Sequence, residues 1–188
     1  MNIRRLAIAA GFLLTTAVAS AGTLKTPGHA PFWTTPAVPG YGAIHVWPHE
    51  SATLPGNRQY HAIFYIPQAI ANKTRPDPEL GRVARMLNIF KAEGVPASHL
   101  HFVVVFDGGA IPAALSNPAY KTRFGRLNPN ARLIAALLRR GVHLDVCGVA
   151  LAGWKFHPSS LWPHIGVTPT GPSTLILYEN QGYALIPF

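Results

Sequence analysis

The chain is poor in charge and poorest in acid. Charged residues fill 12% of its 188 positions, against a usual share of about 25%. Only seven are Asp or Glu, and no close pair among them suits two-carboxylate glycoside hydrolysis. A single cysteine, Cys147, excludes an intramolecular disulfide framework and any cysteine-rich zinc site. No internal repeat or low-complexity tract is present. There is no Gly-x-x-x-x-Gly-Lys phosphate loop, and Asp107-Gly108-Gly109 lacks the third glycine of a dinucleotide fingerprint. Ser159-Ser160 lacks the elbow glycines of a hydrolase nucleophile. With 48% hydrophobic residues, a disordered polar chain is also excluded.

What is present begins with base. Sixteen Lys and Arg against seven acids give a net charge of +9, which favours anionic partners without choosing among them. The N-terminus narrows the choice. Arg4 and Arg5 precede the apolar run Leu6 to Val18, and Ala19-Ser20-Ala21 is a small-x-small cleavage signal before Gly22. These features predict a signal peptide over residues 1–21 and a periplasmic or secreted chain. No later apolar run is long enough to span a bilayer, so no membrane span is expected after cleavage. Removing Arg4 and Arg5 leaves 14 basic side chains against 7 acidic ones, a charge of +7. An exported chain meets no genome, so nucleic acid is not an expected partner.

Residues 22–58 are dense in Pro, Gly and Trp and hold no lasting period. They read as an irregular arm whose aromatics (Phe32, Trp33, Tyr41, Trp47) pack on their own domain or on a neighbour. From Gln59 to Phe188, apolar strand-like runs alternate with amphipathic segments, the pattern of an α/β domain with a mainly parallel sheet. Strands are expected at Tyr60–Ile66, His101–Phe106, Val142–Val146, Ile165–Val167 and Tyr183–Pro187. Asp77-Pro78-Glu79 opens a helix, with an N-cap acceptor, Pro at the first position and a carboxylate at the positive end. Leu80, Val83, Ala84, Leu87 and Phe90 form its apolar stripe, and Gly94 ends it. Tyr120–Arg126 reads as a short helix or turn. Asn128-Pro129 is expected to cap a further helix that ends at Gly141. Thr174–Tyr178 suits a strand by residue type, yet Pro172 and Ser173 before it and Gly182 after it suit a helix.

The chemistry centres on Cys147, at the carboxyl end of a strand, where open α/β sheets bind ligands. A helix starting after Gly148 would aim N–H groups at the sulfur and stabilise a thiolate. A buried structural cysteine is the competing reading. Lys155, His157 and His164 follow downstream. Asp107, at the end of the neighbouring strand, is a candidate for binding a proton or a donor group, or is an ordinary turn aspartate.

The residues carry a family likeness. Gly141-Val142-His143-Leu144-Asp145-Val146-Cys147-Gly148 resembles a signature of the DsrE/DsrF-like (YchN-like) sulfur-relay family. Tyr60–Ile66 resembles its first strand, and Val104–Gly108 its second strand ending in a glycine turn. Leu161–Ile165 and Gln181–Pro187 resemble the segments before and within its last strands, which assigns Ser173–Asn180 to a helix. Pro39–Gly42 is similar to exported members. The resemblance implies a three-layer α/β/α fold with five parallel strands, and trimers or larger rings. It implies a persulfide on Cys147 at a solvent-reachable edge; Asp107, Gly108 and Gly148, at the two neighbouring strand ends, are the candidate binding positions. It departs at Val149, where exported relatives often carry Gln, and at Asp107, where they often carry His.

The expected function is a sulfur carrier or sulfurtransferase. Its expected partners are a sulfane-sulfur donor, a thiol acceptor and further copies of itself. The alternative is a non-catalytic exported oligomeric binding protein with Cys147 structural. No cofactor is expected. Nine histidines are present, but none follows the H-E-x-x-H pattern, so no metal site is expected.

Overall fold

The computed structural model describes residues 32–68 and 74–187. The expected signal peptide, the first ten arm residues and Phe188 lie outside them. Five strands form one sheet: β1 (Tyr60–Ile66), β2 (Leu100–Phe106), β3 (His143–Cys147), β4 (Gly166–Thr168) and β5 (Ala184–Ile186). Their order is β4-β3-β2-β1-β5, and every neighbouring pair is parallel. The helices are α1 (Pro78–Ala92), α2 (Asn117–Phe124), α3 (Ala131–Arg139), α4 (Gly148–Gly153) and α5 (Gly171–Asn180).

Alternation along the strands sorts side chains onto two faces. Phe64, Phe102, Val104, Phe106, Leu144 and Val146 pack in one core with Leu80, Leu87, Leu133 and Leu137 of α1 and α3. Ile63, Val103 and Val105 face the other way, against Leu175 and Tyr178 of α5. Each fully buried large side chain, such as Phe64 or Leu133 at 0% exposure, contributes about 1.5–3 kcal/mol. The central strands are therefore covered on both faces, which explains their continuous apolar runs.

The helix ends follow local chemistry. Asp77 accepts from the Glu79 N–H at 2.8 Å with Pro78 behind it, as the sequence predicts. The helix expected after Asn128-Pro129 starts later, at Ala131 with Asn130 in the cap position. Asn128 is drawn away because its buried side chain donates to the Ala113 and Leu115 carbonyls at 2.8 and 2.6 Å. The contested segment is helix α5. Thr170 caps it through the Ser173 N–H at 3.1 Å. Gly182, at φ +84°, lets Tyr183 N–H return to Tyr178 O at 3.0 Å and turns the chain into β5.

The described part of the arm, residues 32–58, packs on its own domain. Thr34 and Ile44 exchange two 2.8 Å backbone hydrogen bonds, and Val38 is fully buried in the main core. Asn88 of α1, itself 0% exposed, clamps the loop between them. Its Oδ1 accepts from Ala37 and Val38 N–H at 2.7 and 2.8 Å. Its Nδ2 donates to the Tyr41 and Gly42 carbonyls, both at 2.8 Å. Phe32, Trp33 and Trp47 remain exposed and group around His45, whose ring stacks on Phe32 at 3.8 Å.

The face under α5 holds one buried carboxylate, Asp145, 3.2 Å from His143 Nε2. Gly166 lies against it, so close that a Cβ there would collide with Oδ1. Burial raises the Asp145 pKa, and His143 partly offsets this by charge and hydrogen bonding. The native state thus holds this proton more tightly than the unfolded chain. Its contribution to stability is full below the ordinary aspartate range near about 3.9 and is lost as pH rises through the raised native value. Asp145→Asn is expected to flatten that part of the stability–pH profile and to raise stability at neutral pH, read by thermal unfolding across pH. An unchanged profile would show that Asp145 is not the group responsible.

Candidate functional site

β2 and β3 end side by side, with Phe106 paired to Val146. Asp107 and Cys147 therefore leave the same edge of the sheet on adjacent strands. Cys147 is both the last residue of β3 and the N-cap of α4, and its Sγ accepts from the Ala150 N–H at 3.4 Å. The sequence predicts the strand end, the following glycine and the helix. The resemblance implies a solvent-reachable sulfur, with a buried cysteine as the competing reading, and the structure differs from the first: Cys147 is 3% exposed. The difference arises because the chain turns straight into α4, which folds the capping sulfur in against its own first turn.

Asp107 is half-buried and fully engaged. Its Oδ1 accepts from Gly108 N–H at 2.7 Å, and its Oδ2 accepts from the Tyr65 hydroxyl at 2.7 Å. Tyr65 is pushed up to about 12, first by burial, then by the Asp107 hydrogen bond and charge, then by Cys147. It is therefore a neutral phenol, donating to Asp107, throughout the physiological range. Gly171, at the start of α5, lies so close to Asp107 that a Cβ would collide with the carboxylate and crowd the Tyr65 ring.

Gly108 and Gly148 are places of close backbone approach. A Cβ on Gly108 would lie 2.8 Å from Pro67 O, and one on Gly148 would lie 2.8 Å from Thr168 O. Gly108 O also accepts from Trp154 Nε1 at 2.8 Å, tying the end of α4 to the β2 turn. Gly108, Ala150, Gly153 and Trp154 line a shallow depression of about 260 Å³ above this tie. The structure thus brings Cys147, Asp107, Gly108 and Gly148 to one edge. It adds Tyr65, Trp154 and Gly171, which the sequence reading passes over. Tyr65 was accessible in principle, because a parallel register that pairs Ile66 with Phe106 sets Tyr65 and Asp107 on the same face.

Among the described histidines, His61 and His101 stack with ring centroids 4.5 Å apart, and others lie against different partners. His99 is bound to Gly56 O, His101 to Gln59, and His157 to Ser159. Among the described residues no group of three His, Cys, Asp or Glu is placed to hold a metal ion. Among them, too, no helix is long and apolar enough to cross a membrane.

The sequence matches the DsrE/DsrF-like family over residues 69–188. The chain belongs to the DsrE/DsrF-like family. Its five-stranded parallel α/β architecture is consistent with that membership, and membership suggests a sulfur-relay role in general. No curated protein matches the chain. Among solved structures it is similar to MTH1491 from Methanobacterium thermoautotrophicum, a protein of unknown function. Identity there is 14% and the TM-score 0.49, over 69% of this chain and 100% of that one.

Proposed function

We propose that this DsrE/DsrF-like protein is an exported sulfur carrier or sulfurtransferase that forms a persulfide on Cys147. The observation that carries the reading is the position of its sole thiol. Cys147 stands at the carboxyl edge of the sheet, at the start of α4 and beside the Tyr65–Asp107 pair. In the forward step the Cys147 thiolate attacks the sulfane sulfur of a donor. The donor's S–S bond breaks, its electron pair leaves with the remaining fragment, and Cys147 becomes Cys–S–S⁻. An acceptor thiolate then attacks the outer sulfur, and the Cys147 thiolate departs. One cysteine suffices, since the second thiol belongs to the acceptor.

A second reading is favoured by one observation: at 3% exposure the sulfur is buried and acts as a helix cap. Under it Cys147 is structural, and the protein is a non-catalytic binding protein. Intact mass after incubation with polysulfide separates the two. The carrier reading expects one added sulfur atom on the wild-type chain and none on Cys147→Ser, with little loss of stability. An unmodified wild type whose thiol is alkylated only after denaturation supports the structural reading and defeats the carrier. The same spectrum of the exported protein reads the leader, since a chain beginning at Gly22 is expected and one retaining Met1 refutes cleavage.

A homo-oligomer, with a trimer first, belongs to the same proposal. Ile176 and Leu177 stand 60% and 55% exposed on α5, and apolar surface of this kind favours interfaces. Light scattering is expected to show more than one chain per particle at micromolar concentration. A monomer there would overturn it.

A further inference from the structure

Away from Cys147, α3 begins beside a second and larger cavity. It has a volume of about 380 Å³, and its charged lining residues are Arg126 and Arg132. Neither guanidinium has an acidic partner among the described residues. The surrounding chain explains why: residues 108–144 hold Lys121, Arg123, Arg126, Arg132, Arg139 and Arg140 and no Asp or Glu.

The wall behind the arginines is rigid. Buried Asn128 donates to two carbonyls, and its Oδ1 receives Asn130 N–H at 2.9 Å. Its own N–H donates at 3.0 Å to the Oδ1 of Asn117, which also lines the cavity. Asn130 Oδ1 is spent on the Asp77 N–H at 2.6 Å. Asp77 Oδ1 accepts from the Glu79 N–H at the head of α1. The cavity is therefore lined by two guanidinium side chains and the Asn117 amide beside a hydrogen-bonded frame, with no lining carboxylate. Guanidinium forks bind phosphate- and sulfate-type oxygens in bidentate fashion.

We propose that this cavity binds a small tetrahedral oxyanion of the phosphate and sulfate class. The site is separate from the sulfur chemistry and holds whether or not Cys147 carries sulfur. Titrations of the full chain at low ionic strength with inorganic phosphate, sulfate and thiosulfate, followed by calorimetry, test it. Saturable binding of one anion per chain is expected, and the preferred probe distinguishes a phosphate site from a sulfur-oxyanion site. Arg126→Gln with Arg132→Gln is expected to weaken binding about tenfold or more. Both side chains are exposed, so the variant is expected to unfold at the wild-type temperature without anion. Arg139→Gln with Arg140→Gln removes the same charge from the far end of α3 and is expected to leave affinity within about twofold, as is Cys147→Ser. The proposal is overturned by the absence of saturable binding, by equal loss in both arginine pairs, which would mean diffuse attraction only, or by loss in Cys147→Ser, which would place the anion at the other site.

Discussion

Replacing Asn88 with alanine is expected to destabilise the protein by about 3–4 kcal/mol and to lower its melting temperature by roughly 10 °C. The side chain is completely buried and makes four hydrogen bonds of 2.7–2.8 Å to the arm. Alanine keeps the helix but strands two N–H groups and two carbonyls. A buried group without a partner costs about 1–3 kcal/mol, well above the net gain from a typical hydrogen bond. Partial hydration as the arm lifts keeps the total below the sum. Hydrogen exchange gives the local reading: the Ala37 and Val38 amides should lose protection, while β2 amides keep theirs relative to global unfolding. An alanine variant that melts with the wild type would show that the clamp contributes nothing.

The same seam should fail from its other side. Gly42 sits at φ +58°, and a Cβ there would lie 2.7 Å from the Ala84 carbonyl carbon and the Arg85 Cα, in the backbone of α1. Helix backbone cannot swing aside as a long side chain can. Gly42→Ala is therefore expected to cost about 3 kcal/mol, part from the left-handed conformation and part from overlap. The two substitutions should not add. Once either has freed the arm, the other has little left to break, so the double variant should melt close to the worse single one. Full additivity in chemical denaturation would mean that Asn88 and Gly42 stabilise independent structures.

Asn88 also shows where the sequence stops being readable. Leu80, Val83, Ala84, Leu87 and Phe90 announce the buried stripe of α1 through their spacing, and all five are buried. Asn88 lies on the same side of the helix, but a polar residue there carries no sign that its partners are about 50 positions earlier. Likewise β2 was legible from its unbroken apolar run, and α1 from Asp77-Pro78-Glu79. The start of α3 differs from the sequence expectation because Asn128 and Asn130 are both good caps, and tertiary carbonyls decide between them. At the candidate site, Cys147 and Asp107 were legible because strand ends and glycines mark turns. The bond from Tyr65 to Asp107 spans 42 positions, and the burial of Cys147 depends on how α4 leaves the strand. Neither follows from local pattern.

The order of the strands bears on how the chain is made. β1 is an inner strand, yet one of its neighbours is β5, paired through Ala62–Ala184, Ile63–Leu185 and Phe64–Ile186. As the ribosome releases the chain, β2 can join β1 early, but the opposite edge of β1 has no native partner until residues 184–186 emerge. Through most of synthesis a seven-residue strand, YHAIFYI, offers an open ladder of backbone groups that any extended apolar segment can bind. Vectorial folding therefore leaves that edge of β1 unpaired until the last strand arrives.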